Sequence, residues 1–184
     1  MALVLIVFSH LAAPPKLTSR VRPLKHPDVH NTADVPFALR VSNYRPYGQG
    51  SCVHASTATM LNYKGRYLIA EWWKSNHHSG QTAYGIINDY EIAELDYAYT
   101  IGDVEFLEWA SRNRQVVGIW YYYRHCVNFL GFTETHAILL DNNSVSGYDY
   151  ILKDEFIYNW INTYGGFAFV VMEGNTPPPK PVWR

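Results

Sequence analysis

The run Gly48-Gln49-Gly50-Ser51-Cys52-Val53-His54-Ala55-Ser56 decides how this chain reads. Gly48 and Gly50 permit the torsions of a tight turn. Beyond them Ala55, Ala58, Met60 and Leu61 suit a helix. Cys52 therefore falls in a first helical turn, where unpaired N–H groups and the macrodipole favour a thiolate. A thiol in that position is lowered in pKa and made nucleophilic. The alternative is a small apolar cysteine packed behind a turn.

A nucleophilic cysteine needs a base, and the base needs an orienting group. Two apolar stretches downstream supply candidates: His125-Cys126-Val127-Asn128-Phe129-Leu130-Gly131-Phe132, and Thr135-His136-Ala137-Ile138-Leu139-Leu140-Asp141-Asn142-Asn143. Both read as short strands, with 131–135 as the hairpin turn between them. His125 opens the first and Asn142 ends the second. Their separation of 17 residues (142 − 125) is about two strands and a turn. His136 is the rival base, with Tyr158-Asn159-Trp160 downstream as a second amide–aromatic pair, but 154–161 has helical spacing, which sets Asn159 within a helix. Asp141 competes with Asn142, because alternation along a strand lets one of the two face His125. Cys126 follows His125, so it should point to the opposite face and reads as core packing; the alternative, a Cys52–Cys126 disulfide in a secreted chain, would consume the nucleophile. His54, His77 and His78 lack metal-ligand spacing, so neither metal nor cofactor is expected.

These segments resemble the papain-like cysteine peptidase superfamily, and most of all its compact C39-like bacterial members. The likeness rests on Cys-Val-His-Ala-Ser at 52–56, His-x-Val at 125–127, Leu-Asp-Asn-Asn at 140–143 and Gly-Gly-Phe-Ala at 165–168, and it spans about Tyr44 to Met172. It implies Cys52 as nucleophile, His125 as base and Asn142 as the orienting amide, with His136 and Asp141 as alternatives. The Cys52 N–H supplies one oxyanion donor, and Gln49 is the candidate for another. The chain departs from the pattern where the family's oxyanion glutamine usually lies, since Arg45 and Pro46 stand there, and in having Val53 where an aromatic often follows the cysteine. The implied activity is thiol-dependent acyl transfer by a Cys-His-Asn triad, hydrolysing peptide or isopeptide bonds of a peptide or protein substrate. The rival class is a catalytically silent papain-like binding or scaffold module.

The remaining composition bounds these readings. With 184 residues the chain suits one domain with a sizeable core. Its 15 basic and 16 acidic side chains form no like-charge block, which excludes recognition of a phosphate backbone. Residues 1–13 form a signal-like apolar segment without a basic start, read equally as a truncated signal, a start-site error or a first buried strand. That leans to a secreted or cell-envelope protein, with the cytoplasm as the alternative. No membrane span is expected elsewhere. A Pro-rich extended arm follows over 14–43, then the peptidase-like domain over 44–174 and a Pro-rich tail over 175–184.

Within the domain, Leu68, Ile69, Trp72 and Trp73 form a stripe expected to pack on the Cys52 helix. A further helix is expected over 86–97, and Asp103 should cap one over 104–113 with Phe106, Leu107 and Ala110 inward. Strands are expected over 115–123 and 166–172. Helices first and antiparallel strands second define an α+β fold, N-terminal helices packed on a small antiparallel sheet. After Cys52 there are 132 residues (184 − 52), fewer than in two-lobed papain-like enzymes. A reduced second lobe and a shallow cleft would suit a flexible leader peptide, a specific processing site or a cell-wall peptide.

Overall fold

Side-chain alternation sorts the apolar residues of the strands onto two faces, and each face has its own helices. A computed structural model describes residues 32–45 and 50–172. Its elements are α1 (Cys52–Tyr63), α2 (Tyr67–Asn76), α3 (Ala83–Ile92), β1 (Tyr97–Ile101), α4 (Val104–Arg112), β2 (Val117–Trp120), β3 (Cys126–Phe132), β4 (His136–Leu140), β5 (Asp149–Leu152), α5 (Lys153–Asn162) and β6 (Phe167–Val171). The strands form one antiparallel sheet in the order β1-β6-β2-β3-β4-β5. The fold is α+β, as the order of sequence patterns implied.

On one face Cys126, Leu130, Ile138, Leu140, Phe167 and Phe169 meet Val53, Met60, Leu61, Trp73, Ile86 and Tyr90 of α1–α3. On the other, Val127, Phe129, Leu139, Ala168 and Val170 meet Phe106, Leu107 and Ala110 of α4 and Phe156 and Trp160 of α5. The register of β3 on β4 shifts between Phe129 and Gly131, whose φ is +140°. That bulge returns Phe132 to the face of Phe129, their rings 4.8 Å apart. Gly131 thus belongs to the strand, and the hairpin turn is the shorter Thr133–Thr135, closed by Thr133 N–H donating to the His136 carbonyl at 2.8 Å.

Other expectations need correction. α4 and α5 lie among the strands in sequence and cover the second face, so the sheet has helices on both faces. The expected helix over 86–97 ends at Ile92, and Tyr97 begins β1, pairing with Val171. The strand expected over 115–123 stops at Trp120, because Tyr122 (φ +59°) and Arg124 (φ +53°) turn the chain sharply before His125. On α2 the inward side is Ala70 and Trp73, both fully buried, while Leu68 and Trp72 are exposed.

The described end of the arm, 32–45, is tied to the domain. Ala33 N–H donates to the Leu130 carbonyl, Val41 N–H to Thr59 Oγ1 and Asn43 N–H to the Asn142 carbonyl. The Arg40 guanidinium donates to the carbonyls of Val35 and Val145 and to Tyr148 Oη, with its plane over the Tyr148 ring. Residues 1–31 and 173–184 lie outside the described residues, and with them the signal-like segment and the tail. Among the described residues no helix is long and apolar enough to cross a membrane.

Candidate active site

Cys52 is the first residue of α1, reached through Gly50 at φ +82°. A Cβ on Gly50 would lie 2.6 Å from Gly80 Cα, so the turn before the thiol packs directly on the loop after α2. Ser51 makes no capping bond to the helix. Its hydroxyl donates to Asn43 Oδ1 and accepts from the N–H groups of Tyr44 and Arg45. The chain entering the nucleophile turn is therefore held from the arm side.

His125 stands just before β3, in the turn closed by Tyr121 N–H on the His125 carbonyl at 3.0 Å. Its Nε2 lies 2.8 Å from Asp141 Oδ1 and 3.2 Å from Asn143 Nδ2. Cys52 is its other hydrogen-bond partner. Tyr122 lies nearly parallel to the imidazole, ring centroids 6.4 Å apart, with its hydroxyl on Asp149 Oδ2 at 3.1 Å. Two non-glycine residues in the left-handed region, Tyr122 and Arg124, precede His125, a strained turn of the kind found where a side chain must be aimed.

The charges are set by this arrangement. Burial pushes the Cys52 thiol up, but the hydrogen bond from His125, the Cys126 N–H, the His125 charge and the Val53 N–H together bring it below its ordinary value. Burial pulls His125 down, yet the bonds to Asp141 and Cys52 and their charges raise it to about 9. The two shifts run in opposite directions, the thiol down and the imidazole up, and each favours the charged form of its group. Cys126 behaves otherwise: full burial, and then the neighbouring Cys52 charge, hold its thiol well above the ordinary range.

Asp141, and not Asn142, lies against the imidazole, its Oδ1 2.8 Å from His125 Nε2. The register Asn128↔Leu140, continued by two residues, sets Asn142 opposite Cys126 and on the α1 face. There it is 2% exposed, with Nδ2 donating to the Cys52 carbonyl, Ser56 Oγ and the Cys126 carbonyl. Asp141, one residue past the end of β4, is freed from strict alternation by the turn it starts. Ser144 N–H closes that turn on the Asp141 carbonyl, and Asn143 N–H donates to Asp141 Oδ1 at 2.8 Å. Cys126 is core packing, as the sequence reading has it, in the cluster against which Cys52 packs.

His136 opens β4 at its far end from Asp141 and holds only local company, its Nδ1 2.8 Å from Thr135 Oγ1. Gln49 lies outside the described residues. His54 is buried with Nε2 on the Ser79 carbonyl at 2.8 Å, and His77 stacks on Trp73 at 3.9 Å. Among the described residues no group of three metal-ligating side chains is found. Sequence pattern gave no sign of Asn43, whose Nδ2 donates to Asn143 Oδ1 beside the imidazole. Nothing in the sequence pattern singles out Tyr122 of the Tyr121–Tyr123 run, which the turn after β2 sets against His125.

A cysteine at the start of a helix is thus brought beside a histidine and a carboxylate at the strand ends of an antiparallel sheet. The chain is similar to a solved double glycine motif protease from an AMS/PCAT transporter, crystallised in complex with the leader peptide. The two share 19% identity and superpose with a TM-score of 0.51, over 76% of this chain and 92% of that one. That likeness establishes the fold. No family model matches the chain, and no curated protein matches it.

Proposed function

We propose that this protein is a cysteine peptidase acting through Cys52, His125 and Asp141. The observation that carries the reading is the continuous contact from thiol to imidazole to carboxylate, with the thiol lowered and the imidazole raised. The Cys52 thiolate attacks the substrate carbonyl carbon, and the oxyanion forms beside the Cys52 N–H at the start of α1. The His125 imidazolium gives its proton to the leaving amine as the C–N bond breaks, leaving a thioester on Cys52. Neutral His125 then takes a proton from water, whose oxygen attacks the thioester, and the thiolate departs. Asp141 holds the Nε2 proton throughout, which fixes the tautomer and stabilises the cation.

For substrate we favour a specific site in a flexible, leader-type peptide. The fold neighbour was solved with a leader peptide, and this chain builds its site on a single sheet with helices on both faces. In iodoacetamide titration near neutral pH, Cys52 should be modified much faster than Cys126. Equal and slow labelling of both thiols would refute the reactive reading and favour a silent module. Rapid digestion of casein at many sites would refute the narrow specificity alone.

A further inference from the structure

Resemblance assigns Asn142 to the imidazole, but the structure turns its side chain to the nucleophile. Nδ2 lies 3.0 Å from the Cys52 carbonyl oxygen, 3.1 Å from Ser56 Oγ and 2.8 Å from the Cys126 carbonyl oxygen. Oδ1 is buried with no hydrogen-bond partner. The amide could not be reversed, because Oδ1 would then face two carbonyl oxygens. Native folds rarely leave a buried acceptor unpaired, so the placing of this amide calls for a physical account.

The Cys52 and Cys126 peptides are linked through one amino group, and the Cys126 N–H in turn donates to the Cys52 sulfur. Ser56, one helical turn after Cys52, reaches both Asn142 and the Cys126 thiol. Asn142 ties the start of α1 to the sheet through the Cys52 carbonyl, as Asn128 Nδ2 does one turn later through the Ser56 carbonyl at 3.2 Å. Asn142 is itself fixed by Asn43 N–H on its carbonyl at 2.7 Å. We propose that Asn142 is a positioning residue for the nucleophile and not for the base: it ties the Cys52 peptide to the Cys126 peptide and so seats the thiol over the Cys126 N–H and beside His125.

This rests on Cys52 being the reactive thiol, as proposed above, but it does not require turnover. The test is the pH dependence of iodoacetamide modification at Cys52 in the full chain, wild type against Asn142→Ala, with Cys126 as the internal reference. Without the tether the Cys52 midpoint rises, and a rise of one unit makes labelling below the midpoint about tenfold slower. In a Cys52→Ala background, where the thiol no longer influences the imidazole, Asn142→Ala leaves the His125 titration seen by NMR in place, whereas Asp141→Asn lowers it. A labelling curve superimposable on wild type would overturn the proposal. So would a His125 midpoint lowered by Asn142→Ala as it is by Asp141→Asn, which would mean that Asn142 acts through the base. If Asn142→Ala does not fold, the wild-type protein decides: the Asn142 side-chain amide resonances follow the Cys52 titration, and flat resonances through it refute the tether. Absence of peptidase activity with these outcomes intact would remove the proposed function and leave this inference standing.

Discussion

Replacing Asp141 with asparagine removes a charge while preserving the shape of the site. Asp141 Oδ1 accepts from Asn143 N–H at 2.8 Å and lies 2.8 Å from His125 Nε2, and an asparagine oxygen can keep both contacts. What is lost is the charge-assisted part of the bond to the imidazolium. Bonds to charged partners are worth about 1.5–3 kcal/mol net, against about 1 kcal/mol for neutral ones. The difference of roughly 1–2 kcal/mol corresponds to about one pKa unit off His125, which now stands at about 9. Cys52, whose thiolate depends on that cation, rises in turn, so iodoacetamide labelling near pH 6 should slow by about tenfold. Site-resolved mass spectrometry across pH 5–9 measures it, with Cys126 as the slow reference. If Asp141→Asn labels at the wild-type rate with an unchanged midpoint, Asp141 does not support the pair and the reasoning fails.

Gly50→Ala places a Cβ 2.6 Å from Gly80 Cα at a φ of +82°, so the turn before Cys52 must shift. A loss of about 1–3 kcal/mol in urea unfolding, with slower Cys52 labelling, is expected, and a neutral substitution would contradict the contact. His136→Ala removes a half-buried ring bonded to Thr135 at the far end of β4, so Cys52 labelling should be unchanged; a tenfold drop would return His136 to the site. His54 is held near about 4 by burial and by the neighbouring His77 and His78 charges, against an ordinary 6.5. The unfolded chain therefore binds a proton there that the folded chain refuses, and stability should fall as pH drops from about 6.5 to about 4. His54→Gln should flatten that part of the urea-midpoint profile, and an unaltered slope would refute the assignment. His125 has the opposite sign: raised to about 9 from 6.5, its contribution is complete below about 6.5 and is lost as pH rises through about 9.

The approach of His125 to Cys52 is legible in the sequence because both signals are local. A glycine turn before a helix places the thiol, and an apolar run opening on histidine places the ring. The choice between Asp141 and Asn142 is not legible, since it depends on the register of β3 on β4 and on where β4 gives way to a turn. Alternation alone states that one residue faces His125 without saying which. β1 is hidden for another reason: Tyr97-Ala98-Tyr99-Thr100-Ile101 borders a helical pattern, and its partner Phe167–Val171 lies some 70 residues on, so pairing and not propensity makes it a strand. On α2, Leu68 and Trp72 are as apolar as the buried pair, and only the direction of α1 selects Ala70 and Trp73. Asn43 and Tyr122 enter the site through loops, where composition carries no periodic signal.

If Cys52 accepts an acyl group with His125 as its base, brief exposure to an activated peptidyl ester, followed by intact-mass and peptide mapping, will show it. One acyl adduct is expected on Cys52, forming rapidly at pH 7, decaying with release of the acid, and lost or slowed at least tenfold in His125→Ala. No adduct on Cys52, or one that forms equally fast without His125, would contradict it.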